Sequence, residues 1–560
     1  MSCETLVQAM IERAERAPQE LALVFIAEDE THERITAGQF HENALRYSRA
    51  LRGVGVRAGD LVILVLRHSP DVLSAFWGAL YMGAVPAIFP FLNEKLDETI
   101  YRERVRELVA HSQARAVLTF PQFKHELSLV LGDVDCLLLS TDEVRHAMSG
   151  VIAAPRLQAG QGEYTAFLQH SSGTTGLQKG VALSHRAVLN QIKAYGKALD
   201  LRPQDVIVSW LPLYHDMGLI AGFIMPLVTG VPLVLLSPFH WVRDPAVLFR
   251  ALHEHQGTIC WLPNFAYNHC ARSIRSRDLQ GLDLHRWRMA INCSEPVRHE
   301  SHQLFLHRFA PFGFRNCALA TCYAMAENTF AVTQSVPAES AHVDWVHLEQ
   351  LQTMGRAAPC EASGAAATPV VSCGYPIAGT ELAIVDNSGK VLDERCVGEI
   401  LIRSDCMLTG YYRRPDLSRE AFAGDWYRSG DMGYLAAGQL YVTGRKKDLI
   451  IVGGKNIYPQ DVEALATNVA GIHPGRAVAF GLPDRRLGTE RIVLVCEQDG
   501  VAGARQHKQI ESELRRRALQ LLDVTLSDVR LVERRWLLKT SSGKIARSLN
   551  RDKYLQEFRA

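Results

Sequence analysis

Residues 164–180 read YTAFLQHSSGTTGLQKG. The apolar YTAFL is a strand candidate, and the loop Gln169–Gly180 follows it. In that loop Ser171, Ser172, Thr174 and Thr175 supply hydroxyl donors, Gly173 and Gly176 let backbone N–H groups approach closely, and Lys179 adds a point charge. Such a loop suits a polyphosphate. It does not match GxxxxGK[ST], so a Walker-type NTPase fails on spacing. Taken alone, a Ser/Thr/Gly cluster reads equally well as a flexible connection.

Outward from this loop, apolar runs alternate with amphipathic helical patterns over the first 440 residues or so. LVILVL (61–66), ARAVLTF (114–120), DVIVSWL (205–211) and VPLVLL (231–236) read as strands, with helices over Thr36–Gly53 and Pro245–His255. That rhythm makes an α/β protein with largely parallel sheets. After about residue 375 shorter strands and turns take over (GTELAIVDNSGKVL, GEILIRS, GQLYVTGRKKDLIIV), as in a small β subdomain built of hairpins. RIVLVCEQ (491–498) and the basic amphipathic IESELRRRALQLL (510–522) belong to a further α+β unit. The boundary is placed at Gly444–Asp448, and the Ala-rich CEASGAAATP (360–369) reads as a loop.

At 560 residues the chain exceeds one ordinary domain, and 61 basic residues balance 60 acidic ones. Neither nucleic acid nor an anionic membrane is implied. The twelve cysteines are scattered without metal-binding spacing, as in a reduced, cytoplasmic protein. The amphipathic start MSCETLVQAMIERAERAPQE carries acids early and has no apolar segment of the signal-peptide kind. From Gly218 to Phe239 no side chain is charged, but Pro226, Pro232 and several glycines interrupt the run. It reads as helix, turn and core strand, with no membrane span.

Six motifs then fall in order: SSGTTGLQKGV, NCSEPV (292–297), TCYAMAE (321–327), YRSGD (427–431), GRKKDLIIVGGKNIYPQDVE (444–463) and KTSSGKIAR (539–547). Together they resemble the adenylate-forming superfamily, which includes acyl-CoA synthetases, fatty acyl-AMP ligases, peptide-synthetase adenylation domains and luciferases. The resemblance implies a large N-terminal domain of two α/β sheet subdomains plus the small β subdomain, residues 1–446. A small mobile C-terminal domain, residues 447–560, would carry the catalytic lysine.

It further implies ATP and Mg²⁺ as cofactors. Lys544 would bridge the substrate carboxylate and the α-phosphate, where a cation relieves repulsion between two anions. Asp431 and Arg445 would hold the ribose, Tyr323 would stack on adenine beside a wall of Ser294, Glu295 and Pro296, and Glu327 would be the metal-associated carboxylate. His215 would gate or pack the mouth of an acyl tunnel, with Trp261, Phe265 and Tyr267 as lining. Lys447 would be the pivot of the small domain. Ala324 and Ala326 depart from the glycine and threonine usual at these positions; the second is familiar in fatty acyl-AMP ligases.

The expected activity is activation of a fatty acid to acyl-AMP, then transfer to the thiol of a holo acyl carrier protein. Gly374 follows Glu327 by 47 positions, and the stretch between them holds a segment resembling the insertion of fatty acyl-AMP ligases. Against this, VGGKNIYP resembles CoA ligases, where Gly454 lines the thiol tunnel, so CoA stays open as acceptor. A non-catalytic nucleotide-binding regulator and a light-emitting oxygenase are the readings of other classes. The presence of Lys544, Asp431 and Glu327 speaks against the regulator.

Overall fold

The computed structural model describes residues 3–92, 98–146, 161–170, 179–364, 366–467, 469–484, 489–500, 504–540 and 543–558. Two large sheets carry the N-terminal part. In a sheet of nine strands, six neighbours run parallel, in the order Leu319–Ala324, Met289–Asn292, Ile259–Leu262, Ile207–Ser209, Leu233–Leu236 and Leu21–Ile26. Antiparallel strands close its edges. A sheet of seven strands has five parallel members, ending in Thr165–His170, which then pairs antiparallel with Gly180–Ser184. Leu61–Val65 and Leu233–Leu236 are buried along their whole length, as unbroken apolar runs must be when both faces of a sheet are covered.

Local chemistry sets the helices. The helix Ala37–Gly53 opens on a capping box: the Gln39 N–H donates to Thr36 Oγ1 (3.3 Å) and the Thr36 N–H to Gln39 Oε1 (2.9 Å). The uncharged run after residue 217 divides into a π-helix Met217–Ile224, a short α-helix Met225–Thr229, Gly230 at φ +85° and the strand Leu233–Leu236. Among the described residues no helix is long and apolar enough to cross a membrane.

The hairpins expected after residue 375 form one antiparallel sheet, of which Thr380–Val385, Gly398–Ser404, Trp426–Ala436 and Gln439–Arg445 are the main strands. Beyond them lies a smaller α+β domain. Its strands Ile472–Asp484, Thr489–Gln498 and Leu526–Val532 pack with the helix Ala504–Leu522 around an apolar core that includes Ile450, Leu494, Leu514 and Leu526. The expected α/β architecture, with a large N-terminal and a small C-terminal domain, is therefore present.

One local expectation differs. Residues 360–364 and 366 lack regular structure, but Ala367–Val371 is a strand paired antiparallel with Val343–His347, and the helix Leu348–Met354 lies between them in sequence. Thr368, Pro369, Val370 and Val371 supply the extended run that the alanines disguise.

Candidate functional site

Open parallel sheets gather ligands at the carboxyl ends of their strands, and several of the motif residues stand there. His215 follows Ile207–Ser209, Ser294 follows Met289–Asn292, and Tyr323 lies in Leu319–Ala324. Ser294 holds φ +69°, a left-handed conformation unusual for a residue with a Cβ. Its carbonyl accepts a 2.7 Å hydrogen bond from Lys544 Nζ, which reaches across from the C-terminal domain. Glu295 Oε2 accepts the Phe265 N–H at 2.9 Å, at the start of the helix Asn264–Ser273, and Pro296 is exposed.

Asp431 and Arg445 are register partners across the hairpin of Trp426–Ala436 and Gln439–Arg445, so two separate motifs meet on one ribbon. The Arg445 Nε lies 3.2 Å from Asp431 Oδ1, and the Tyr323 hydroxyl donates to Asp431 Oδ2 at 2.7 Å. Burial and the Asp431 carboxylate push the Tyr323 phenol well above its ordinary pKa, so it stays a donor.

Glu327 sits in a tight turn, Ala326–Asn328, whose exit, Thr329, adopts φ +62°. The turn is tied down from outside: the Leu408 N–H donates to the Glu327 carbonyl (2.8 Å) and Thr329 Oγ1 to the Cys406 carbonyl (2.7 Å). The Tyr411 hydroxyl donates to Glu327 Oε1 at 3.0 Å and lies 3.1 Å from the Tyr427 hydroxyl. Lys179 Nζ stands 4.6 Å from the centre of the Tyr411 ring, which links the end of the phosphate-type loop to this carboxylate. Ser171, Ser172, Gly173, Thr174, Thr175 and Gly176 lie outside the described residues. Among the described residues two three-ligand clusters, His32–Glu254–His255 and Glu30–His240–Asp244, occur elsewhere, and neither contains Glu327. A cation at Glu327 would draw its other ligands from phosphate oxygens and water.

His215 is held by its backbone, its N–H on the Pro212 carbonyl (3.2 Å) and its carbonyl on the Leu219 N–H (2.7 Å). Its Nε2 is buried without a hydrogen-bond partner. Burial and the Lys544 charge push its pKa down to about 3, so the imidazole is neutral. The following π-helix lies tight on the strand end. A Cβ on Gly218 would stand 2.2 Å from the Pro212 carbonyl oxygen, and one on Gly222 2.5 Å from Ser209 Oγ.

The turn Lys446–Asp448 follows Arg445, and burial beside Arg445 lowers the Lys447 pKa. Arg547, three residues beyond Lys544, donates to Asp448 (2.6 Å) and Glu463 (2.8 Å), which ties the lysine loop to that turn. Gly453 and Gly454, at φ +56° and +82°, form the two-residue tip between Ile450–Val452 and Lys455–Ile457, a turn that needs positive φ at both positions. Three more contacts join the domains or their neighbours: Arg298 Nη1 to Asp461 Oδ1 at 2.8 Å, the helix Leu348–Met354 against Lys455–Ile457, and Trp345 edge-on to His299 at 5.7 Å.

Tyr411 and Arg298 were not singled out from the sequence. GYYRRP (410–415) gives Tyr411 no pattern that distinguishes it from a core aromatic, and Arg298 follows a quoted motif only by adjacency. Trp261 and Tyr267 are wholly buried in the sheet core. The Trp261 indole N–H donates to the Tyr195 hydroxyl (2.8 Å), and Tyr267 packs edge-on against Phe305; Phe265 alone of the three is open, at 44% exposure.

Residues 10–412 match the AMP-binding enzyme family. The chain is 31% identical to the medium-chain-fatty-acid–[acyl-carrier-protein] ligase JamA of Moorena producens (strain JHB), over 90% of this chain and 86% of that one. It is 32% identical to the long-chain-fatty-acid–AMP ligase FadD26 of Mycobacterium marinum (strain ATCC BAA-535 / M), over 97% and 96%. A solved structure from a study of fatty acyl-adenylate ligases of E. coli and L. pneumophila superposes with a TM-score of 0.91 at 29% identity, covering 100% of this chain and 98% of that one. With motif order, fold and relatives in agreement over nearly its whole length, the chain belongs to the AMP-binding, adenylate-forming enzymes.

Proposed function

We propose that the protein joins a fatty acid to AMP at the expense of ATP, releasing pyrophosphate, and hands the acyl group to the phosphopantetheine thiol of an acyl carrier protein. The observation that carries this reading is the position of Lys544 Nζ, 2.7 Å from the Ser294 carbonyl, with Tyr323, Asp431 and Arg445 joined by a hydrogen bond and an ion pair on the N-terminal side and Glu327 held there by Tyr411.

In the first half-reaction a carboxylate oxygen of the acid bonds to the α-phosphorus, and the bond from that phosphorus to the bridging oxygen breaks, releasing pyrophosphate. The acid is already ionised at neutral pH, so no base is needed, in keeping with a neutral His215. Lys544 places a positive charge between two anions that must approach. Asp431, held by Tyr323 and Arg445, offers acceptors to both ribose hydroxyls. The donor set fits Mg²⁺: Glu327 is a hard oxygen ligand with one oxygen fixed by Tyr411, beside the cationic Lys179. Bound there, Mg²⁺ would neutralise phosphate charge. In the second half-reaction the thiol sulfur, as thiolate, bonds to the acyl carbon and AMP leaves.

Support for a carrier protein as acceptor comes from the helix Leu348–Met354, which packs on Lys455–Ile457 beside the Gly454 tip, and from the name of the JamA relative. CoA is the second reading, favoured by the open space over Gly454. The test is acid-dependent pyrophosphate release, with CoA and a holo acyl carrier protein compared as acceptors. Accumulated acyl-AMP that the carrier discharges and CoA does not is the expected result, with CoA activity gained on deleting part of Val343–Pro369. Efficient acyl-CoA formation by the intact protein, without gain on deletion, would make it an acyl-CoA synthetase. Absence of release with every acid would refute the enzyme.

A further inference from the structure

At one edge of the nine-stranded sheet a strand and a helix meet through two rungs of side chains. The edge strand His32–Thr36 pairs antiparallel with Leu21–Ile26, and the helix Ala246–Glu254 comes against it from outside the ladder. Arg250 Nη2 stands 2.9 Å from Glu30 Oε1, and His32 Nδ1 stands 3.4 Å from Glu254 Oε1. Arg250 and Glu254 are one helical turn apart, so the first pair brings the second into register. His255 caps the helix with its N–H on the Ala251 carbonyl (3.0 Å), and its ring lies 5.0 Å from that of His32.

His32, Glu254 and His255 each bring one donor atom to a cluster in which all three donors lie within 4.8 Å of one another. Donors about 2.0–2.1 Å from a tetrahedral Zn²⁺ stand about 3.4 Å apart. His32 and Glu254 already have that separation. The His255 Nε2 is buried without a hydrogen-bond partner among the described residues. Buried ring nitrogens are otherwise bonded, so this one points to a ligand. The last carbonyls of the helix add partial negative charge, which favours a cation. In the neighbouring cluster, Glu30–His240–Asp244, the Arg250 guanidinium already pairs with both carboxylates, at 2.9 Å and 2.7 Å. Among the described residues no guanidinium or ammonium pairs with Glu254.

We propose that His32, Glu254 and His255 hold one Zn²⁺, with water as the fourth ligand, and that the ion fastens the edge strand to the helix Ala246–Glu254. Two imidazoles and a carboxylate suit Zn²⁺, whereas Mg²⁺ and Ca²⁺ take oxygen ligands. An edge strand offers unpaired backbone groups to other chains, and a clamp across it keeps it in place. Arg34, two residues on and so on the same face of the strand, sets a positive charge near His255 that opposes a cation. Four strands separate this edge from Met289–Asn292, which leads to Ser294, so the ion stands apart from the adenylation chemistry.

The test uses the whole chain, stripped of metal with a chelator, and Zn²⁺ alone as the probe. Equilibrium dialysis should find one more Zn²⁺ per chain in the wild type than in His32→Ala or His255→Ala. Affinity for that ion should fall at least about 10-fold in either variant and in Glu254→Gln, since losing even an outer partner of a ligand costs that much. Arg34→Gln should tighten binding by about 2-fold or more, the scale of one screened charge. Zn²⁺ should raise the unfolding midpoint of the wild type and not of the three ligand variants. Should His255→Ala not fold, His32→Ala and Glu254→Gln, which remove groups open to water, carry the test. Acid-dependent pyrophosphate release with Mg²⁺ should be the same in His32→Ala as in the wild type. Equal Zn²⁺ binding by the wild type and the variants, or a midpoint that Zn²⁺ moves alike in all, overturns the site and leaves His32 and Glu254 a surface pair.

Discussion

Breaking the ion pair between Arg298 and Asp461 tests whether the C-terminal domain is held over the site by weak surface contacts. The pair spans 2.8 Å between the domains, and each side chain keeps 32% exposure. A pair so wet contributes about 0.5–1 kcal/mol, because water screens the attraction and two long side chains lose freedom. At RT of about 0.6 kcal/mol, that lowers the ratio of molecules with Lys544 at Ser294 to those without by about 2- to 5-fold, and their share by at most that factor. Arg298→Ala should therefore slow pyrophosphate release by at most about 5-fold at low salt, and by less in 1 M NaCl, where charges are screened within about 3 Å. Asp461→Ala should match it, and the double variant should be no slower than either single one. Discharge of pre-formed acyl-AMP by the thiol should not fall, since that step does not use this arrangement. A loss above about 100-fold on Arg298→Ala alone, or strictly additive effects, would refute a latch and place the guanidinium on the nucleotide instead.

Lys544→Ala should leave ATP binding and stability nearly intact while slowing adenylation at least ~100-fold, the scale for removing one preorganised charge; wild-type-like single-turnover release would overturn its role. Lys447→Pro fixes φ in the turn Lys446–Asp448 and should impair thiol transfer more than adenylation, and equal losses would argue against a pivot there. Acid should destabilise the fold. His170, His185 and His302 are buried, and burial lowers their pKa values to about 4, 4 and 3, below the unfolded value of about 6.5. Their contribution is complete above pH 6.5 and is lost as pH falls from there toward 4. Together they amount to about 4 kcal/mol between pH 7.5 and 5.5, and an unfolding midpoint unchanged or raised at pH 5.5 would contradict this.

Whatever the chain states locally could be read in advance. Thr36 and Gln39 announce a capped helix three residues apart, and Pro226, Pro232 and Gly230 break an apolar run before it can span a bilayer. Asp431 and Arg445 were found through separate motifs, and the sheet register then set them opposite each other. The pairs that escaped notice join distant positions without a local pattern: Tyr411 with Glu327 and Arg298 with Asp461. Each residue taken singly passes for a core aromatic or a surface charge, and only the fold shows its partner. Trp261 and Tyr267 show the converse. Their motif drew attention to them, yet their rings are buried in the core, and the ring between them in sequence, Phe265, is the one left exposed.

The π-helix Met217–Ile224 has a consequence for how this enzyme could change over time. Its backbone closes each loop with one residue more than an α-helix needs. Deleting a single residue there would return the winding to normal, but all eight residues are buried, so their neighbours would have to repack. It would also turn everything on one side by about 100° relative to the other, carrying His215 and Asp216 away from the direction they now face. Gly218 and Gly222, which alone fit against the Pro212 carbonyl and Ser209 Oγ, would leave those places as well, so the present winding is held by core and site together and neither could give up a residue without the other.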